Sequence, residues 1–554
     1  MSIHERAGQV AQQQDLVNIP QLMSYYFCIK PDIQRDDQKV SFGTSGHRGS
    51  SLKGSFNQDH ILAITQAVVD HRNGSGISGS LYLGIDTHGL SQAAFISAIE
   101  VLVANQVSVI IHKNDGFTPT PVISHSIIQA NKHSSEHKSA LADGLIITPS
   151  HNPPQDGGIK YNPPHGGPAE AEITQWIERK ANQYLADSLE GVKRLDYATA
   201  IASPLVKTTD LIMPYVDDLG AVIDMKAISE AGICIGVDPL GGSGIHYWSK
   251  IAERYHLNIS LVNSRIDPSF SFMPLDKDGQ IRMDCSSPYA MAGLLKQQDN
   301  FDLCVGNDPD YDRHGIVCPG SGLLPPNHFL AVVIDYLVTH RPNWADGLII
   351  GKTLVSSSMI DKVCAQHGKP LCEVPVGFKW FVDGLADASF AFGGEESAGA
   401  AFLRRDGTTW CTDKDGFILA LLAAEILAVT GKTPAQRYQE LVALHGECFY
   451  KRVDSPVKAD KKAKFAQVLQ RDVNTQILGT EVLADESILT VLTKAPGNQA
   501  DIGGIKVITK NAWFAARPSG TEALFKIYAE SFISQDHLEQ VIVEAQVMID
   551  AILV

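Results

Sequence analysis

Gly144-Leu-Ile-Ile-Thr148-Pro-Ser150-His-Asn-Pro-Pro154 decides the fold: a short apolar strand runs without a break into a loop stiffened by three prolines. In α/β sheets, ligands are met by loops at the carboxyl ends of strands, so this stretch predicts an α/β fold with a site at its edge. Phe301-Asp-Leu-Cys-Val305 repeats the pattern and runs into a loop dense in Asp. Working outward, Leu81-Tyr-Leu-Gly-Ile-Asp86, Ile233-Cys-Ile-Gly-Val-Asp238 and Leu348-Ile-Ile-Gly-Lys352 are β-branched runs that each precede a helical segment. This strand, loop, helix cadence belongs to α/β units. The three runs lie more than a hundred residues apart, which suggests three related domains that each open with a similar unit.

The 554 residues, 44% hydrophobic and 19% charged, can bury several cores. Against 62 Asp+Glu stand 46 Lys+Arg, and the formal charge of −16 repels nucleic-acid backbones and anionic lipid surfaces. Neither is expected as a partner, whereas a local cluster of Lys and Arg still admits an anionic small substrate. Residues 1–10 carry charges where a signal peptide needs an apolar run. The apolar stretch Phe417-Ile-Leu-Ala-Leu-Leu-Ala-Ala424 meets Glu425 well short of the roughly 20 residues of a membrane span, and reads as a buried helix. Nine cysteines without a CxxC pair read as reduced core thiols. A soluble, cytoplasmic protein is expected. Residues 1–40, polar and Gln-rich, read as an extension packed on the body. The texture then predicts α/β domains over 41–205, 206–320 and 321–435, and a different C-terminal domain over 436–554.

Pro149, Pro153 and Pro154 fix φ around Ser150 and His151, so the hydroxyl is presented by a stiff loop. On its own a Ser beside a His is a polar turn. Asp308-Pro-Asp310-Tyr-Asp312-Arg313 changes that weighing, because alternating carboxylates after a buried strand can converge three hard oxygen ligands on one divalent cation. A phosphorylated Ser150 would complete the coordination, with the cation polarising the phosphoryl group. Such chemistry needs phosphate donors elsewhere. Arg517-Pro-Ser519-Gly520-Thr521 offers a guanidinium fork, two hydroxyls and free backbone N–H groups. Gly43-Thr44-Ser45-Gly-His-Arg48-Gly49 sets Arg48 among glycines that allow close approach. Gly393-Gly-Glu395-Glu-Ser397-Ala-Gly399 adds a carboxylate and a hydroxyl suited to sugar hydroxyls.

These five loops, in this order, resemble the α-D-phosphohexomutase family, and within it the bacterial glucose-specific phosphoglucomutases. The TSGxRG, SHNP, DxDxDR, GExS and RxSGT patterns are met at residues 44–49, 150–153, 308–313, 394–397 and 517–521. The resemblance implies a four-domain architecture, three related α/β domains and a smaller C-terminal α+β domain around a central cleft. It also implies an intramolecular phosphotransferase that interconverts α-D-glucose 1-phosphate and glucose 6-phosphate. The route would run through phospho-Ser150 and glucose 1,6-bisphosphate, with Mg2+ on Ser150, Asp308, Asp310 and Asp312. Ser150, His151, Arg48, Lys160 and Lys414 would carry the catalysis. Thr44, Ser45, Arg313, Glu395, Ser397, Arg517, Ser519, Gly520 and Thr521 would bind substrate, and Val376-Gly377-Phe-Lys379 would orient the sugar. Two departures stand out: Pro309 and Tyr311 lie between the aspartates where family members often have Gly, and many relatives have an Arg after RxSGT, whereas here the nearest basic residue is Lys526. A lysine serves a phosphate as a point charge, not as a fork.

Two other patterns are set aside. His133-Ser-Ser-Glu-His137 matches a zinc signature within a polar segment, and Gly320-Ser-Gly322 opens like a dinucleotide fingerprint but has Pro325 where the third Gly belongs. Rival readings are a mutase for mannose or glucosamine phosphates, a DxD-type sugar phosphatase with Asp308 as nucleophile, and a catalytically silent sugar-phosphate binder.

Overall fold

The computed structural model describes residues 3–43, 46–137, 140–456, 464–465, 467–469, 475–518 and 524–552. In the first sheet Leu81–Ile85 pairs in parallel with Val109–His112 on one side and Asp143–Ile147 on the other. Gly157–Asn162 then returns antiparallel along Asp143–Ile147, and His47–Gly49 and Val206–Thr209 form the two edges. The first sheet thus runs a few residues past 205. In the second, Cys234–Asp238 lies between its parallel partners Asn258–Leu261 and Leu303–Gly306, and Gly315–Cys318 returns antiparallel. In the third, Ile349–Thr353 lies between Leu371–Val374 and Phe390–Glu395, and Gly399–Phe402 returns.

The three sheets therefore share one plan, centred on the three runs that the sequence sets apart. Each has a parallel strand, a short loop and an antiparallel return. The Ser150 loop, the Asp308 loop and the Glu395–Ser397 turn occupy that same place in successive sheets. Each also contains a non-glycine residue in the left-handed region: Ser150 at φ +62°, Tyr311 at +62° and Ala398 at +71°. Strands covered on both faces read as continuous apolar runs, and Asp143–Ile147 is buried at every position.

The fourth sheet is wholly antiparallel, from Phe449–Pro456 through Leu524–Ser531, Ala512–Pro518 and Asp501–Ile508 to Thr490–Lys494. Helix Gln535–Ile552 covers it with Leu538, Val541, Ala545, Met548 and Ile552, a helical stripe on one face.

One apolar core is common to the second and third sheets and reaches Val122, Ile123 and Ile146 of the first unit. Helix Gly416–Thr430 runs through it. Asp415 caps this helix by accepting from Phe417 and Ile418 N–H, Gly431 ends it at φ +67°, and residues 416–426 are buried all round. Among the described residues, no single helix is long and apolar enough to cross a membrane. The fourth sheet has its own core and meets the third unit through Leu354, Val355, Trp513 and Tyr528. The N-terminal segment forms helix Ile19–Cys28, capped by Asn18, whose Leu22 and Tyr26 enter the core of the first sheet.

Candidate active site

Ser150 is fully buried and sits in a backbone conformation that costs a non-glycine residue on the order of 1–3 kcal/mol. Its neighbours hold it there. Ser150 N–H donates to Thr148 Oγ1 at 2.8 Å, and that hydroxyl donates to Asp86 Oδ2 at 2.7 Å. Asp86 also accepts from Ser91 Oγ and from His88 Nδ1 at 2.8 Å, while His88 Nε2 faces the Asn152 carbonyl at 3.0 Å. Both ring nitrogens meet oxygen acceptors, so both donate. Burial opposes the charge on His88, but Asp86 outweighs it and raises the pKa. Gly158 on the return strand is required, since a Cβ there would stand 2.1 Å from the Thr148 carbonyl oxygen.

The metal loop is shaped with equal care. Asn307 Nδ2 donates to the Arg313 carbonyl and Arg313 N–H to Asp308 Oδ1, which tie its ends together. Tyr311 keeps a glycine-like φ without being glycine. Its ring is buried, stacked on Phe417 at 4.4 Å, and its hydroxyl accepts from Trp248 Nε1. Ser243 holds the Pro309 carbonyl through both its hydroxyl and its N–H. Packing thus replaces the missing glycines.

The two loops meet. Ser150 Oγ donates to Asp308 Oδ2 at 2.8 Å, and ligand oxygens of Asp308, Asp310 and Asp312 lie within 4.8 Å of one another. The two lysines take one oxygen of each outer carboxylate, and Arg313 Nε stands 3.7 Å from the other oxygen of Asp312, beyond hydrogen-bond distance. Lys160 Nζ lies 2.5 Å from Asp310 Oδ2 and 3.1 Å from Asp312 Oδ2, and Lys414 Nζ lies 3.0 Å from Asp312 Oδ2. Thr120 Oγ1 also donates to Asp310 Oδ2. Asp310 Oδ1 and Asp312 Oδ1 are buried with no hydrogen-bond partner. Three hard anionic oxygens with two orphaned atoms fit a divalent cation such as Mg2+ or Ca2+.

Burial, then Asp310 and Asp312, push the Asp308 carboxyl well above its ordinary value. Burial opposes the charge on Asp312 too, but Lys160, Lys414 and Arg313 overcome it and hold that carboxyl far down. Lys160 and Lys414 are raised in turn, burial notwithstanding, by the aspartates they touch. Both stand as charged donors. Burial, helped by Arg313, lowers His151 to about 3, which leaves an uncharged ring with Nδ1 3.3 Å from Ser150 Oγ. Arg48 lies on the edge strand paired with the Ser150 return strand, within electrostatic reach of Arg313 and all three aspartates.

Four family models match the chain in order: phosphoglucomutase/phosphomannomutase alpha/beta/alpha domain I over residues 39–187, domain II over 213–321, domain III over 325–445 and the C-terminal domain over 457–546. A phosphoglucomutase of Komagataeibacter xylinus is 54% identical over 551 residues, covering 100% of this chain and 98% of its own. The chain belongs to the phosphoglucomutase/phosphomannomutase family. Among solved structures, pp63/parafusin (phosphoglucomutase) from Paramecium in its open form superposes with a TM-score of 0.74 at 20% identity, covering 94% of this chain and 96% of that one. A phosphoglucomutase/phosphomannomutase family protein from Burkholderia thailandensis gives 0.67 at 16% identity, covering 93% and 98%. At these identities the two structures speak to the fold, which is the family's four-domain architecture of three related α/β/α domains and a smaller α+β domain.

Of the residues that the family motifs single out, the structure brings Arg48, Ser150, His151, Lys160, Arg313, Lys414, Glu395 and the three aspartates into one cluster. Gly377 N–H donates to Glu395 Oε1 at 3.1 Å, which joins the Val376–Lys379 turn to Glu395, and Lys414 Nζ lies 3.9 Å from Glu395 Oε2. Burial raises Glu395 and lowers the half-buried Lys379. Ser397 follows in the same turn, partly exposed. Arg517 is partly buried near the end of strand Ala512–Pro518, opposite Lys526 and within reach of Tyr528. Thr44, Ser45, Ser519, Gly520 and Thr521 lie outside the described residues, as do the side chains of His133 and His137. Gly320 and Gly322 shape the turn of an antiparallel hairpin.

Sequence reading missed Thr120, the Asp86–His88 pair, Asp284 and Glu396. Asp86 had a signal, standing at the end of a strand-like run. Asp284 has none, yet its carboxylate faces His151 and Arg313, which lower it to about 2 against the effect of burial. Glu396 is raised by burial and by Glu395, and accepts from Thr353 Oγ1.

Proposed function

We propose that this chain interconverts α-D-glucose 1-phosphate and glucose 6-phosphate through phospho-Ser150 and glucose 1,6-bisphosphate. The observation that carries the reading is Ser150 Oγ, held 2.8 Å from Asp308 beside two aspartates with orphaned oxygens. Phosphorylated, that oxygen would bear the group for transfer. Asp308, Asp310, Asp312 and phospho-Ser150 would hold Mg2+, which supplies Lewis-acid stabilisation of the transferring phosphoryl group.

The chain's own part is positioning and charge. Arg48, Arg313, Lys160 and Lys414 surround the phosphoryl oxygens, with both lysines protonated. The P–O bond to Ser150 breaks as a sugar hydroxyl oxygen bonds to phosphorus, the hydroxyl's proton ending on Ser150 Oγ, and the bisphosphate turns over before returning its other phosphate by the reverse exchange. Glu395, fixed by Gly377 N–H, and Ser397 would hold sugar hydroxyls in either orientation, and Arg517 with residues 519–521 would take the remote phosphate. Asp308 is occupied by the hydroxyl of Ser150, which favours serine over aspartate as the phosphate carrier. Glucose as the sugar is supported by the relative that is 54% identical. All nine cysteines stand unpaired, which supports a cytoplasmic location.

Labelled glucose 1,6-bisphosphate should transfer its label to Ser150, detected by peptide mass. A Ser150→Ala variant that labels equally would overturn the scheme. Turnover of glucose, mannose and glucosamine 1-phosphates, compared side by side, tests the sugar.

A further inference from the structure

The N-terminal segment is tied at two places. Helix Ile19–Cys28 belongs to the first unit: Tyr26 hydroxyl donates to Ser97 Oγ, Ser51 Oγ to the Leu22 carbonyl and Asn57 Nδ2 to the Tyr25 carbonyl. Residues 4–11 instead run beside the second unit. His4 N–H donates to Lys277 O, Gly8 N–H to Leu275 O and Ala11 N–H to Met273 O, while Leu275 N–H donates to Gln9 O, all at 2.8–2.9 Å. Ala11 and Leu16 pack on the apolar cluster of Phe270, Met273 and Met283. Arg6 folds the segment back on itself with two bonds to Asp15.

What the segment grips is a hairpin, closed by the Leu275–Ile281 bridge and by Asp276 N–H to the Gln280 carbonyl. Residues 283–285, shortly past that hairpin, lie between the two reactive loops. Met283, fully buried, donates its N–H to the His151 carbonyl at 3.4 Å. Asp284 Oδ1 accepts from Ser286 N–H at 3.0 Å and from Ser286 Oγ at 2.7 Å, which holds the turn that follows Met283. The Cys285 carbonyl abuts Gly315, where a Cβ would stand only 2.2 Å away. The path from residues 4–11 to the site is thus continuous, and the segment itself contributes no side chain there.

We propose that residues 4–11 are a clasp that holds the 273–281 hairpin, and through it keeps Met283 and Cys285 seated against the His151 carbonyl and Gly315, so that the loop bearing Ser150 and His151 stays aimed at the phosphoryl acceptor. The kinetic half of this inference rests on the mutase reading; the structural half does not.

Gly8→Pro/Ala11→Pro removes two donors of the clasp without touching the site. Amide exchange should speed up across residues 273–285. Turnover of glucose 1-phosphate should fall about tenfold or more in kcat, with KM within about twofold, since misplacing reacting groups by 1 Å can cost about 10²-fold. Val10 and Pro274 face each other across the bridge without exchanging hydrogen bonds, the arrangement in which side chains come closest. Val10→Cys/Pro274→Cys added to the proline variant, in a Cys28→Ser background because Cys28 is exposed, should restore kcat on oxidation and lose it again on reduction. Unchanged exchange, faster exchange with unchanged kcat, or a disulfide that restores nothing would each overturn the proposal. If the proline variant does not fold, Arg6→Ala, which releases the two bonds to Asp15, decides: faster exchange across 273–285 with kcat reduced at an unchanged KM supports it, and parental exchange and kcat sink it. A parent protein inert toward hexose phosphates would defeat the mutase reading, and the exchange data would still judge the clasp.

Discussion

Replacing Lys160 with methionine keeps the stem and deletes the ammonium that touches Asp310 and Asp312. All three side chains are at most 4% exposed, so the two carboxylate oxygens would be left uncompensated away from water. Breaking a buried ion pair from one side costs about 3–5 kcal/mol. Here Asp310 keeps the hydroxyl of Thr120 and Asp312 keeps Lys414, which places the cost near the lower end, about 3 kcal/mol. For a cooperative unit of 150–250 residues each kcal/mol moves the midpoint by about 2–4 °C, so the first melting transition should drop by about 6–12 °C in chelator. Mg2+ should restore part of this, about 2.7 kcal/mol at a hundred times its Kd. The freed oxygens also make the Mg2+-induced shift larger in the variant than in the parent. Differential scanning calorimetry with and without Mg2+ reads both quantities. A variant that melts within about 2 °C of the parent in chelator, or a parent that gains more from Mg2+, would refute the idea that Lys160 is a built-in counter-ion of the aspartates.

Thr148→Val removes the acceptor of Ser150 N–H and leaves that buried group unpaired at a cost of about 1–3 kcal/mol; label transfer to Ser150 should slow at least tenfold, and Thr148→Ser should keep most of it. Arg341 makes two bonds to Glu425, at 2.7 and 3.0 Å, with both side chains almost fully buried, so Arg341→Met should lower stability by about 3–5 kcal/mol in denaturant titrations and leave substrate KM unchanged. Burial raises Asp238 to about 6 from an ordinary 3.8, against the single N–H of Leu240. The folded chain therefore keeps a proton that the unfolded chain releases. Its contribution to stability is full below 3.8 and is lost as pH rises through about 6, a total of about 3 kcal/mol. Asp238→Asn should flatten the fall in thermal midpoint over that window.

The reactive loops were legible because their chemistry is local. Prolines, a hydroxyl and alternating carboxylates lie within a few consecutive residues, and each loop follows an apolar run that burial on both faces demands. Thr120 could not be found that way, since it reaches Asp310 across 190 positions from the start of a helix. Asp284 was equally hidden, because its neighbours in sequence advertise only a turn. Tyr311 stands where the family pattern has glycine, and the structure keeps a glycine-like backbone angle there and supplies its stability from Phe417 and Trp248. The kinship of the Ser150 and Asp308 loops showed in the apolar run before each, whereas the Glu395–Ser397 turn joins them only through strand order, which sequence does not display.

Helix Gly416–Thr430 has a mechanical consequence. Its first residue donates to the Tyr311 carbonyl, and its body fills the core common to the second and third units, which also engages the first. The first unit keeps a core of its own and joins the other two through this shared one. The C-terminal sheet is fastened to the third unit by the apolar patch around Trp513, the Lys506–Glu373 ion pair and a few hydrogen bonds, with one covalent passage between helix Pro434–His445 and strand Phe449–Pro456. Gly446, at φ +91°, stands in that passage like an axle pin. A rotation about Gly446 would change the separation of Arg517 from Ser150 and leave that of Ser150 from Asp308 unaltered, because only the first of these pairs has its members on opposite sides of the passage.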